Sequence, residues 1–167
     1  MLNRAGLLFA LVIFFADAYA ENSIVIGQGI KVVGEPSCIG DCWVSGYVWL
    51  IDARRTVLGP PVEGKIRMVA ASHGQPKDSY LKAVQLFVLS PVIADTAEVS
   101  SDLQFSLLAS SPMYGGGRYC IPFKPTEVGI PLSDSEVERD EYNRYCFSKR
   151  SLLKATKRIS TKNGKPA

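Results

Sequence analysis

From Ile24 to Phe123 the chain is a series of short β-branched and aromatic runs, interrupted by glycine, proline and aspartate. Such runs suit the pleated, half-buried surface of a strand, and the interruptions mark turns. Ile24-Val25-Ile26 and Ile30 to Val33 flank a Gly27-Gln28-Gly29 break. Trp43 to Ile51 places Tyr47, Trp49 and Ile51 on one strand face and Val48 and Leu50 on the other. Leu58-Gly59-Pro60-Pro61 predicts a turn, and Lys65 to Met68 alternates as a half-buried strand should. Leu81 to Leu89 is a long apolar run that predicts a strand central to a sheet. Leu103 to Leu108 and Arg118 to Phe123 extend the series.

The pattern then changes. Ser133 or Ser135 can cap a helix, with Glu136 or Glu138 three residues on completing a capping box. From there Tyr142, Tyr145, Leu152, Leu153, Thr156 and Ile159 fit one helical stripe, with Arg150, Lys154, Lys157 and Arg158 facing away. Acidic residues lead this segment and basic ones trail it, which suits the helix dipole.

The spaced valines and glycines of Val44 to Val88 ("VSGYVW…PPVEGKIRMV") resemble the first strands of a small OB-type barrel. They resemble a transthyretin-type or immunoglobulin-like sandwich about as well. The expected fold is therefore mainly β: a small antiparallel β-barrel or β-sandwich with a C-terminal amphipathic helix. Residues 21–160 form one domain on this reading, and 161–167 are a disordered basic tail.

Residues 1–20 read as a cleaved signal peptide. Arg4 supplies a positive start, Leu7 to Phe15 an apolar run, and Ala18-Tyr19-Ala20 a cleavage site before Glu21. The apolar run is too short for a spanning helix, which needs about 20 residues. Export to the periplasm or outside the cell favours disulfides. The four cysteines, Cys38, Cys42, Cys120 and Cys146, allow three pairings. The favoured one is Cys38–Cys42, closed by a Gly40-Asp41 turn, with Cys120–Cys146, which would pin the helix to the β-body. A zinc site would need a second knuckle near Cys120 or Cys146, and a redox site would want two residues between its cysteines. No metal and no cofactor is expected.

Catalytic signals are sparse. His73, the single histidine, lies in a turn-rich loop, and no Gly-x-Ser-x-Gly elbow is present. Asp52, Glu63, Asp78, Asp95, Glu98 and Asp102 stand in no recognisable acid/base motif. Gly27-x-Gly29 and Gly115 to Gly117 lack the residues of a phosphate loop and read as bends.

Two features point to binding instead. Trp43, Tyr47 and Trp49 can share one sheet face, as a stacking surface for sugar or peptide or simply as core; Tyr80, Tyr114 and Tyr119 add aromatics elsewhere. Residues 148–167 carry seven lysines and arginines and no acid, on a chain whose net charge is only +3. Lys154, Lys157 and Arg158 are the expected contacts to an anionic partner, the alternative being a solvated helix end.

The expected function is an exported, disulfide-stabilised binding or accessory protein that catalyses nothing. Its partner would be a protein or an envelope glycan or lipid, reached by peripheral membrane contact if lipid, and nucleic acid is not expected. A small exported hydrolase using His73 or a carboxylate pair is the first alternative, and a structural subunit of an envelope assembly the second.

Overall fold

The computed structural model describes residues 21–34, 37–39, 44–72, 77–92 and 104–162. The expected signal peptide, Cys42, Trp43, His73, Asp95, Glu98, Asp102 and the tail beyond Lys162 lie outside these residues, so the expectations placed on them stay untested.

Strands β1 (Ser23–Val32), β3 (Val44–Leu58), β4 (Gly64–Ser72), β5 (Val84–Pro91) and β6 (Phe105–Pro112) close a five-stranded barrel. β3 is long enough, at 15 residues, to pair with β4 along one edge while its other edge meets the short β2 (Ser37–Ile39) and then β1. β1 also pairs with β5, which completes the ring β1–β3–β4–β6–β5–β1. Of the architectures expected, the barrel is the one that forms. Its strand order is a Greek-key closure of the OB type, with a single helical turn, α1 (Asp78–Leu81), between β4 and β5. The ladders are antiparallel except for a brief parallel contact of β4 with β6, Met68 opposite Phe105 and Val69 opposite Ser106.

Alternation along β3 and β5 builds two cores. Tyr47, Trp49 and Ile51 of β3 meet Phe87 and Leu89 of β5 and Met68 of β4 inside the barrel. Leu86 and Val88, on the opposite face of β5, pack outward against a second apolar cluster with Tyr119, Phe147 and Leu152. Leu86 to Leu89 have no more than 1% exposure because both their faces are covered. The run reads as central in the sequence for that reason, but its expected start is corrected: Leu81 ends α1 and the strand begins only at Val84. Gly27 marks a close approach of β1 to β3: a Cβ there would lie 2.5 Å from the Asp52 carbonyl oxygen.

The second core is roofed by a three-stranded sheet, β7 (Arg118–Ile121), β9 (Tyr145–Ser148) and β8 (Val137–Arg139), and by helix α2 (Lys149–Lys162). This corrects the expected helix start. The capping box between Ser133 and Glu136 does form, but it closes only a 3-10 turn, Asp134–Glu136. Asp140 and Asn143, whose φ is 61°, then turn the chain into a β8–β9 hairpin. That hairpin buries Phe147 and sets Cys146 opposite Cys120, so sheet pairing overrides helical spacing. Tyr142, expected on the apolar stripe, is 70% exposed. The true helix begins one residue after Ser148, whose hydroxyl accepts the Ser151 N–H at 2.9 Å and caps it.

The Cys120–Cys146 disulfide is present as expected, but it joins neighbouring strands β7 and β9, not helix and sheet. The proposed partner bridge, Cys38–Cys42, lies outside the described residues and side chains, which include neither Cys42 nor the side chain of Cys38.

Candidate anion-binding groove

Helix α2 docks by a narrow face. Leu152 and Ala155 are completely buried in the second core, while Leu153 and Ile159 stay half-buried and belong to neither core cluster. They form one wall of an open groove of about 1180 Å³. The far wall is the end of β3, Arg55 to Gly59, and the near end is the Gly116–Gly117 turn between β6 and β7. Backbone bonds fix these parts to one another: the Lys149 N–H donates to the Gly117 carbonyl at 2.8 Å.

The β3 end is equally constrained. Gly59 has φ +80°, and a Cβ there would lie 2.1 Å from the Asn22 carbonyl oxygen. Thr56 brackets the following Pro60-Pro61 turn, accepting from the Val62 N–H at 2.7 Å and donating to its carbonyl at 2.8 Å. A rigid turn therefore holds Arg55, Val57 and Leu58 against the helix.

Five cations line the groove: Arg55, Lys149, Arg150, Lys154 and Lys157. Among the described residues no carboxylate lines it. Arg55, Lys149, Arg150 and Lys154 are exposed and have no ion-pair partner among the described residues. The two hydroxyls present are committed to the helix backbone. Ser148 caps α2, and Thr156 donates to the Leu152 and Leu153 carbonyls at 3.0 and 2.9 Å. The groove thus offers positive charge over apolar walls and no nucleophile with an adjacent base.

Of the expected anion contacts, Lys154 and Lys157 line this groove. Arg158 does not. It pairs instead with Glu136, outside the groove lining, whose carboxyl is held below the usual range by the Ser133 N–H, then the Ser133 hydroxyl and Arg158 itself. Lys149 and Arg150 were legible as part of the basic run. Arg55 was not, because nothing in a sequence links position 55 to a helix almost a hundred residues later.

The expected aromatic surface takes a different form. Tyr47 and Trp49 are 8% and 4% exposed and belong to the barrel core, so they offer no outer stacking face. Trp49 does reach the edge of a smaller cleft of about 520 Å³ between β4, α1 and β6. Its Nε1 is buried without a partner among the described residues. The Tyr80 hydroxyl, pushed up by burial, shares a hydrogen bond with Ser110 at 2.9 Å in the same cleft. Tyr119 is core, and Tyr114 stacks under Arg144, 5.2 Å from the guanidinium carbon to the ring centre.

Among the described residues the sole grouping of metal-ligand atoms is Cys120, Asp140 and Cys146. Both sulfurs are consumed by the disulfide, and Asp140 is bonded to Arg144 at 2.7 Å. Asp52, one of the candidate acids, pairs with Arg54 at 3.4 Å. No described helix is long and apolar enough to cross a membrane. No family model matches the chain, and neither a curated protein nor a solved structure shows significant similarity to it.

Proposed function

We propose that the chain is an exported, non-catalytic accessory protein that holds an anionic partner in the groove between its barrel and its C-terminal helix. One observation carries this reading: among the described residues, four cations without ion-pair partners line one groove that no carboxylate lines. Like charges gathered this way repel one another, so an arrangement kept on a rigid frame is best explained by an anion that relieves the repulsion. The signal-peptide pattern at residues 1–20 and the Cys120–Cys146 disulfide support export. The commitment of Ser148 and Thr156 to the helix backbone supports binding without chemistry.

Co-sedimentation with anionic vesicles at low and high salt tests the proposal. Wild-type protein pellets at low salt and is released as salt shortens the Debye length towards about 3 Å near 1 M. Charge reversal at Lys149 and Lys154 abolishes pelleting, whereas neutral vesicles bind neither protein. Equal pelleting of the charge-reversed protein would sink the proposal.

A further inference from the structure

We infer that the groove accepts a single-chain anionic lipid, its headgroup among Lys149, Arg150 and Lys154 and its chain along Leu58, Leu153 and Ile159. This deepens the functional reading above and rests on it.

The argument turns on the apolar walls. A groove made for a polyanion needs a row of cations and gains nothing from aliphatic side chains between them. Here Leu153 immediately precedes Lys154, and both line the same groove as Leu58 and Ile159. Leu153 and Ile159 are left half-buried although the helix already docks through Leu152 and Ala155. Leu58 packs its inner side on the second core and lines the groove with the rest. Charge and apolar surface thus occur together within one turn of α2. An anion with a hydrocarbon chain satisfies both, since the head neutralises the cations and the chain removes the aliphatic walls from water. The chain also sets a measurable scale. Complete burial of a methylene strengthens binding about fourfold, and a groove open on one side should return about twofold per methylene.

Alkyl phosphates of four to twelve carbons, titrated below their micellar concentrations into the oxidised full-length mature protein by calorimetry, test the inference. The expected result is one-site binding that tightens about twofold per methylene and weakens with salt. Lys154→Glu should weaken every member of the series about tenfold. Leu153→Gln should leave the shortest chain unchanged and flatten the dependence on length, and Ile159→Gln provides the same reading from a second position. Circular dichroism confirms that each variant is folded. A flat length dependence in wild type, with salt-sensitive binding kept, would overturn the lipid assignment and leave a plain anion site. So would failure of every alkyl phosphate to bind while charge-dependent vesicle pelleting persists. Equal binding of uncharged alkyl maltosides would overturn both the lipid assignment and the anionic reading beneath it.

Discussion

Arg158 of α2 grips Glu136 of the turn before β8, with Nη2 to Oε1 and Nη1 to Oε2 both at 3.3 Å. The same carboxylate accepts the Ser133 N–H at 3.1 Å and its hydroxyl at 2.9 Å, so the contact ties the helix to a capped turn. The Arg158 side chain is 50% exposed, and exposed ion pairs contribute about 0–1 kcal/mol. Arg158→Ala should therefore cost no more than about 1 kcal/mol in urea unfolding. It should leave anion binding within about threefold of wild type, unlike charge reversal at Lys154. A loss of binding at Arg158 as large as that at Lys154 would return Arg158 to the binding surface.

Asp140 is one of two carboxyls whose pairing in the fold makes stability fall in acid. Partial burial pushes its carboxyl up, but the Arg144 side chain, the Arg144 N–H and the Tyr142 N–H pull it below the ordinary range. A carboxyl depressed in the folded state contributes stability that is present above its unfolded pKa, about 4. That contribution is lost as pH falls through the folded value. Glu136 acts in the same direction. Urea midpoints should thus be flat between about pH 5 and 7 and fall below about pH 4. Asp140→Asn should lower the midpoint at pH 7 and flatten the acid slope. An unchanged slope would show that other groups control acid unfolding.

Cys120 and Cys146 face each other across β7 and β9 with Cα atoms 4.0 Å apart, 26 residues apart in sequence. A bridge over that separation restricts the unfolded chain by about 3–4 kcal/mol. Replacing both cysteines by serine should reduce unfolding free energy by about that amount and weaken groove binding only in proportion to unfolding. A much smaller loss would mean that the β7–β9 pair and its Tyr119–Phe147 packing hold the hairpin unaided.

Gly59 ends the β3 wall of the site. At φ +80° and 2.1 Å from the Asn22 carbonyl for any added Cβ, it tolerates no side chain without backbone movement. Gly59→Ala should destabilise the protein by about 1–3 kcal/mol. Because the turn positions Arg55 and Leu58, anion affinity should fall in the folded variant as well. A variant with wild-type affinity would show that the helix alone makes the site.

What a sequence discloses here depends on the range of the interaction. Val44 to Ile51 and Val84 to Leu89 announce strands because alternation and two-sided burial are local patterns, and the even cysteine count together with a signal-peptide pattern announces a bridge. The β8–β9 hairpin was misread as helix because Ser133-x-x-Glu136 is a genuine capping box. What stops the helix is the pairing of Tyr145 to Phe147 with Arg139 to Val137 and with Ile121 to Tyr119. Barrel closure through β1 with β3 and β5, and the place of Arg55 and Lys154 on one groove, depend on long-range contacts with no local trace.

Trp49 gives the sharpest separation between core and surface readings of the aromatics. It is 4% exposed and packed among Tyr47, Met68 and Phe87, yet its Nε1–H has no partner among the described residues. Truncation to alanine removes a large core side chain and should cost about 3–5 kcal/mol. Trp49→Phe keeps part of the ring and deletes the unsatisfied donor, a group whose burial itself costs about 1–3 kcal/mol, so its loss should be clearly smaller. Fluorescence gives an independent reading. In a Trp43→Phe background Trp49 is the single indole, and its emission should be blue-shifted, insensitive to iodide and unmoved by alkyl phosphate. A ligand platform would behave in the opposite way on every count. Strong iodide quenching, together with a Trp49→Ala penalty under about 1 kcal/mol, would place this ring on the outside of the barrel.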